Sequence, residues 1–343
     1  MENSQNSRLS KQDAMTLLDA WLFVDDATVL PTNEGTVNTT YFVKTQAGNF
    51  VFKLYNDSTT TAQIQYEHLL LTHLKKLNLS FAVPAPIPTA SGETLLVVNR
   101  DDCSLRVALL PLILGNKSDR TNLAHTYAVG KALGELHHAL AGFDLEGQMA
   151  QLPPWGDLYH IHPLLPDPFE VPRLLELPLT QQQRVIKTLT EVLEAVPNLY
   201  KMLPVQTTHA DFLSPNVLVA NNRVVGILDF EFATSDLRLI DYIAAVDHFT
   251  RSPGQEAPRW EFIKAFSTGY TEYISLSQFE VEALTLVWRL QQASCIVYWT
   301  GWLLERKVTS QSVLDGVARM LALEDWLAEN TAQLMSDLPA IFN

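Results

Sequence analysis

The chain has 343 residues, 47% of them apolar, and a formal net charge of −14, which fits a globular protein that divides into two lobes rather than a disordered chain. The acidic balance argues against a nucleic-acid surface and is compatible with a cationic substrate, although most such charge is solvated surface; Cys103 and Cys295 are too few for a disulfide framework or a zinc site and read as buried thiols. The N-terminus is polar, and no run reaches the roughly 20 apolar residues of a membrane span, so a soluble cytoplasmic protein without a membrane partner is expected.

Gln12 to Leu22 spaces Met15, Leu17, Leu18 and Trp21 for one helical face and predicts a lead helix. Asn33 to Thr40 is a small polar loop; with one glycine, Gly35, it is not a G-x-G-x-x-G loop. Tyr41 to Thr45, a turn at Gln46–Asn49, and Phe50 to Tyr55 predict a β-hairpin. Lys53 on the returning strand faces away from Phe52 and Leu54; it reads most simply as a solvent-facing residue, or else as a lysine beneath a phosphate-covering loop. Ser58 to Leu77 predicts a helix with Ile64, Leu69, Leu70 and Leu74 on its apolar side and Glu67 in its middle. Val83 to Pro88 breaks that helix, and Thr94–Val98 and Ser104–Leu110 predict two more strands.

The remainder reads as mostly helical, over Asp119–Leu140, Leu179–Leu199, Asp236–Phe249, Phe262–Tyr273, Gln278–Leu304 and Ser312–Leu334. Residues 144–178, with seven prolines and Trp155, read as a loop-rich insertion near a substrate mouth. Trp288, Tyr298, Trp299 and Trp302 form an aromatic set more often found in a core than in a ligand cage.

The chemistry concentrates between His209 and Glu231, where Asp211, Asn216 and Asp229 stand in an otherwise apolar run. Val217–Ala220 and Val224–Leu228 predict a hairpin centred between Asn222 and Arg223, which counts Asn216 opposite Asp229 with Asp211 one loop turn away. An amide oxygen and a carboxylate suit Mg²⁺, and Asp211, with no obvious partner, could accept the proton of an attacking hydroxyl. The H-x-D-x-x-x-x-N pattern with a downstream Asp is that of kinase-type catalytic loops. Two other readings are an Asp/Asn turn cluster capping a hairpin, and a phosphoesterase metal centre with His209, Asp211 and Asp229 as ligands.

This stretch resembles the aminoglycoside phosphotransferase superfamily, which also includes choline kinases, type II homoserine kinases and methylthioribose kinases. The resemblance implies an α+β, bilobal protein-kinase-like fold, with a small antiparallel-sheet nucleotide-binding lobe over residues 1–112 and a mainly helical lobe over 113–343. It implies ATP and Mg²⁺ as cofactors, Asp211 as catalytic base, Asn216 and Asp229 as metal ligands, and His209 as a structural hydrogen-bonder. It implies that Lys53 orients the α and β phosphates and that Glu67 holds Lys53. Gly35 to Tyr41 resembles the short Asn/Thr-rich loop of homoserine-kinase-like members, which brings backbone N–H groups and the hydroxyls of Thr39 and Thr40 near the phosphates. Leu109 to Gly115 then reads either as an interlobe hinge, with Leu110 against an adenine and the donor at Leu112, or as a buried strand exit. Gly134 to His138 resembles a common core-packing element and Phe266-x-x-Gly269-Tyr270 a common element behind the acceptor site; Asp241 matches an Asp that braces the catalytic loop, or is a plain exposed Asp.

Only six residues separate Asp229 from the next predicted helix, and Leu213 stands where protein kinases place a Lys. Both features favour a small-molecule hydroxyl as substrate, such as homoserine, choline or an aminoglycoside. Arg238 and Arg289 are candidates to receive a substrate carboxylate. The alternatives are a nucleotide-binding pseudokinase and an atypical protein Ser/Thr kinase.

Overall fold

The structure is a computed structural model that describes residues 11–21, 27–32, 38–99, 104–143, 150–251 and 257–342. The loop around Gly35, the turn at 100–102, Cys103 and the start of the proline-rich segment lie outside the described residues. The chain forms two compact units: Met1–Leu114 with Gly226–Glu231, and Gly115–Val225 with Phe232–Asn343. The expected single boundary at residue 112 missed the return of Gly226–Glu231 to the first unit.

The first unit runs α1 (Lys11–Leu18), β1 (Thr28–Pro31), β2 (Thr39–Thr45), β3 (Gly48–Leu54), α2 (Thr61–Lys76), β4 (Leu96–Asn99) and β5 (Ser104–Pro111). The strands form one antiparallel sheet in the order β1-β2-β3-β5-β4. Alternation along β3 divides its side chains between two faces. Phe52 packs with Trp21, Tyr41, Val43 and Leu109 on one face. Val51 and Tyr55 pack with Ile64 of α2, Ala108 and Leu110 on the other. Lys53 lies between Val51 and Tyr55 and is buried at 6% exposure, so the solvent-facing reading is overturned: α2 covers that face. α2 starts at a capping box in which Thr60 accepts from the Gln63 N–H at 3.2 Å and Gln63 Oε1 accepts from the Thr60 N–H at 2.7 Å. That start sets the helix phase that turns Glu67 inward.

The second unit runs β6 (Asn116–Lys117), α3 (Leu123–Leu140), α4 (Val171–Leu174), α5 (Leu179–Met202), β7 (Val205–Thr208), β8 (Val217–Ala220), β9 (Arg223–Ile227, whose last residues return to the first unit), β10 (Thr234–Leu237), α6 (Arg238–Thr250), α7 (Trp260–Tyr270), α8 (Gln278–Leu304) and α9 (Ser310–Phe342). β6, β8 and β9 form one small sheet; β7 and β10 form another, with Thr208 opposite Thr234. Asn221 and Asn222 both adopt left-handed dihedrals, φ 51° and 57°, and form a two-residue turn. The bend is therefore centred between them, one residue earlier than expected, so hairpin counting alone does not set Asn216 opposite Asp229. α3 and α7 cross closely at glycines: a Cβ on Gly130 would lie 2.0 Å from the Phe266 carbonyl oxygen, and one on Gly269 2.1 Å from that of Tyr127.

The described part of the proline-rich segment is packed rather than open, with Leu158, Leu165 and Val171 buried and α4 inside it. The aromatic set on α8 divides. Trp288 is core, while Tyr298 is half-buried and lies tilted against Trp155 (5.1 Å) and Trp302 (5.3 Å) and edge-on to Phe232 (6.1 Å).

Candidate active site

In the first unit, β3 and α2 put Lys53 and Glu67 face to face, with Nζ 3.2 Å from Glu67 Oε1. The same ammonium lies 3.4 Å from Asp229 Oδ1 and 3.7 Å from Glu231 Oε2. Burial works against the ammonium, but Glu67, Tyr55, Asp229 and Glu231 outweigh it and hold Lys53 well above its ordinary pKa. Glu67 is raised by burial, which Lys53 only partly offsets. Burial pushes Glu231 up to about 7, opposed by Lys53 and reinforced by Asp229 and Glu67. The Asn38 amide donates to Glu231 Oε2, and Asn38 Oδ1 accepts from the Asn56 N–H at 3.0 Å. The Tyr55 ring stands 4.7 Å from Lys53 Nζ, and its hydroxyl bonds His68 Nε2 at 2.9 Å. Burial, helped by the Lys53 charge, lowers His68 to about 3, so this ring is neutral.

Asp229 itself sits at φ 62°, outside the ordinary range for a non-glycine residue. Its side chain is 38% exposed, against 8% for Lys53 and 5% for Glu67. One carboxylate of this group therefore faces outward while the other residues are walled in.

In the second unit, β7 delivers His209 and Asp211. His209 is fully buried and its Nδ1 accepts from the Asp211 N–H at 3.2 Å. Ala210, at φ 62°, makes the left-handed step between them. Asp241, in the first turn of α6, accepts from the His209 N–H at 2.9 Å and the Ala210 N–H at 3.1 Å. Its Oδ2 also meets His137 Nε2 at 3.1 Å, and His137 Nδ1 meets the Tyr270 hydroxyl at 2.8 Å. Burial alone would raise the Asp241 carboxyl; the His137 and His209 contacts outweigh it and hold it below its ordinary value. Asp241 thus braces the loop and is not an exposed residue. His209 makes structural bonds, and among the described residues no group of three or more His, Cys, Asp or Glu side chains could hold a metal ion.

Asp211 does have a partner, contrary to expectation. Asn216 Nδ2 donates to Asp211 Oδ2 at 2.7 Å and to the Asp211 carbonyl at 3.0 Å. An amide that donates through Nδ2 keeps Oδ1 as the atom available to a cation. A three-residue 3-10 turn, Ser214–Asn216, with Pro215 inside it, sets this spacing.

The structure therefore gathers Lys53, Glu67 and Asp229 in one group, and Asp211 and Asn216 in another. Thr40 Oγ1 is bonded to Thr32 Oγ1 at 2.6 Å, and Thr39 stands opposite Leu54 in the sheet. Leu110 is buried against Tyr55 and Ile64. The donor expected at Leu112 needs correction, because its N–H already donates to the Asn49 carbonyl at 3.1 Å. Arg238 and Arg289 are also committed: Arg238 forms a bidentate pair with Glu280, and Arg289 bonds Glu191 at 2.5 Å and Glu324 at 3.3 Å. Sequence reasoning missed Tyr55, Glu231, Asn38 and His137. The signal for the first was present, since Tyr55 lies two residues after Lys53 and so shares its strand face.

Among known proteins, residues 28–276 match the Phosphotransferase enzyme family. The homoserine kinase of Brucella ovis is 26% identical over 267 residues, covering 75% of this chain and 73% of the relative. A microcompartment-associated aminopropanol kinase shares the fold at a TM-score of 0.65 and 17% identity, covering 95% of this chain and 98% of its own. An amicoumacin kinase, solved with AMP-PNP, Ca²⁺ and Ami, does so at 0.68 and 15%, covering 95% and 96%. The family match spans well over half of a chain whose α+β fold these kinases share, and the protein belongs to the phosphotransferase enzyme family as a small-molecule kinase.

Proposed function

We propose that the protein transfers the γ-phosphate of ATP to the hydroxyl of a small amino alcohol. The observation that carries this reading is the buried Lys53 ammonium, held by Glu67 at 3.2 Å with the half-exposed Asp229 at 3.4 Å. A lysine so fixed can orient α and β phosphates, and hard oxygen donors from Asp229 and Asn216 Oδ1 fit Mg²⁺. The donor chemistry fits in charge as well, since three carboxylates share one ammonium around Lys53. Bound Mg²⁺ would neutralise phosphate oxygens. Asp211 accepts the proton of the acceptor hydroxyl while the hydroxyl oxygen of the acceptor bonds the γ-phosphorus and the bond from that phosphorus to the bridging oxygen of ADP breaks. Asn216, donating to Asp211 Oδ2 at 2.7 Å, fixes the rotamer of that base.

The amino alcohol class is supported by the names of the homoserine kinase and aminopropanol kinase relatives. With Arg238 and Arg289 committed to glutamates, a substrate carboxylate needs another cation. Arg319 on α9 is exposed and has no ion pair among the described residues. It acts on the Cys295 thiol, which burial pushes up to about 12 with help from Asp247 and Asp211 and opposition from Arg319.

The test is coupled ADP release with Mg²⁺ and a panel of homoserine, aminopropanol, choline and aminoglycosides. Saturable release with homoserine or aminopropanol is the expected result. Nucleotide binding without turnover on any acceptor would favour a pseudokinase, and phosphate on protein would favour an atypical Ser/Thr kinase.

A further inference from the structure

Two of the three carboxylates at Lys53 have roles in the proposed reaction, and Glu231 has none. Yet Glu231 is not loosely placed. Its side chain is 8% exposed, its Oε2 lies 3.7 Å from Nζ, and the Asn38 amide donates to that same oxygen. Asn38 immediately precedes β2, and its Oδ1 accepts from the Asn56 N–H at 3.0 Å, just beyond β3. One asparagine thus ties together the ends of two neighbouring strands and the segment that carries Asp229. The sheet itself holds a third negative charge against the ammonium.

Glu67, Asp229 and Glu231 outnumber Lys53 by two charges. A nucleotide polyphosphate entering there brings further negative charge, which one ammonium cannot balance in a poorly solvated place. We infer that Glu231, positioned by Asn38, is a charge gate that makes nucleotide binding depend on a divalent cation. The inference rests on the proposal that this group binds ATP. Glu231 is a positioning residue in this role: it acts through Lys53 and the local field, and forms no bond to the transferred phosphoryl group. Without Glu231, Lys53 and Asp229 remain, and metal-free nucleotide meets one negative charge fewer.

The experiment is calorimetric titration of ADP at pH 8.5, once with Mg²⁺ and once with EDTA. It compares the wild type with Glu231→Gln, Glu231→Asp and Asn38→Ala, each checked for its thermal midpoint. The wild type should bind ADP far more weakly in EDTA than in Mg²⁺. Glu231→Gln should narrow that gap about tenfold by gaining affinity in EDTA, the scale expected for removing one like charge a few ångströms away. Glu231→Asp should restore the gap, which a merely structural role would not do. Asn38→Ala keeps the charge but frees it, and should narrow the gap by a smaller factor; it serves as the decisive variant if Glu231→Gln does not fold. An unchanged gap in the folded Glu231→Gln or Asn38→Ala protein overturns the gate and leaves the kinase reading intact. A wild type that binds no ADP even with Mg²⁺ overturns both.

Discussion

Around Lys53, three carboxylates share one buried ammonium, and the group is held together by charge. Around Asp211 the loop is held by backbone N–H groups on Asp241, by the His209 ring and by the Asn216 amide. The first arrangement should withstand exchange of one ligand oxygen for another but not loss of the cation. The second should withstand changes in charge nearby but not the loss of a hydrogen-bond acceptor under a left-handed Ala210. The difference matches the tasks proposed for them: one binds a highly charged nucleotide, the other must hold a single carboxylate at a fixed angle to a hydroxyl.

The sharpest break in that comparison comes at Asp211. Asp211→Asn should lower kcat by about 10²- to 10⁴-fold, the range for losing a general base, with the ADP dissociation constant nearly unchanged. Equal loss of affinity and turnover would mean that Asp211 belongs to the nucleotide side. Next is Lys53→Met. Removing the cation strands three acids, so turnover should fall about 10²- to 10³-fold, with a loss of roughly 3 kcal/mol in chemical denaturation. A variant that keeps wild-type stability would show that the group is not held by charge.

Asp241→Asn tests the other side. It removes the carboxylate that receives two backbone N–H groups and His137, so stability should drop by about 2–4 kcal/mol and turnover should fall while nucleotide binding persists. Unchanged denaturation midpoints would show that the loop does not need its brace.

The smallest expected effect concerns pH. Asp236 is fully buried and accepts from the Trp155 N–H at 2.7 Å, the Leu237 N–H at 2.7 Å and the Tyr200 hydroxyl. Burial raises its carboxyl from 3.8 to about 6 despite those bonds. Between those values the native state binds more protons than the unfolded chain, so its contribution to stability is full below about 4 and declines as pH rises through 6. Asp236→Asn should flatten that part of the stability profile, read as the difference between the wild-type and variant midpoints across pH 4 to 7. A wild-type advantage that grows instead towards neutral pH would mean that burial does not raise this carboxyl.

Several features are legible in the residues alone. The spacing of Asp211, Asn216 and Asp229 points to a reaction class, because it is the pattern of kinase-type catalytic loops, whose chemistry uses hard oxygens and a base. Strand alternation puts Lys53 and Tyr55 on one face, and the helix over 61–76 follows from its apolar spacing and its Thr60 cap. What escapes are elements whose partners lie far away. β7 and β10 are written in polar residues, Val205-Gln206-Thr207-Thr208 and Thr234-Ser235-Asp236-Leu237, and become strands only by pairing with each other. The glycines in the Gly134 and Gly269 elements look like generic packing, while their reason is the contact of α3 with the α7 backbone, as at Gly130 against the Phe266 carbonyl.

The sequence by itself determined the reaction class, the order of the acidic residues and the period of each long helix, because these depend on residue type and local spacing. Only the tertiary structure decided that Lys53 is buried rather than solvated, that Arg238 and Arg289 are already paired, and that Glu231 stands beside Lys53. Burial and ion pairing are made by residues distant in the chain, here 178 positions apart for Lys53 and Glu231 (231 − 53), and no local pattern encodes which of them will meet.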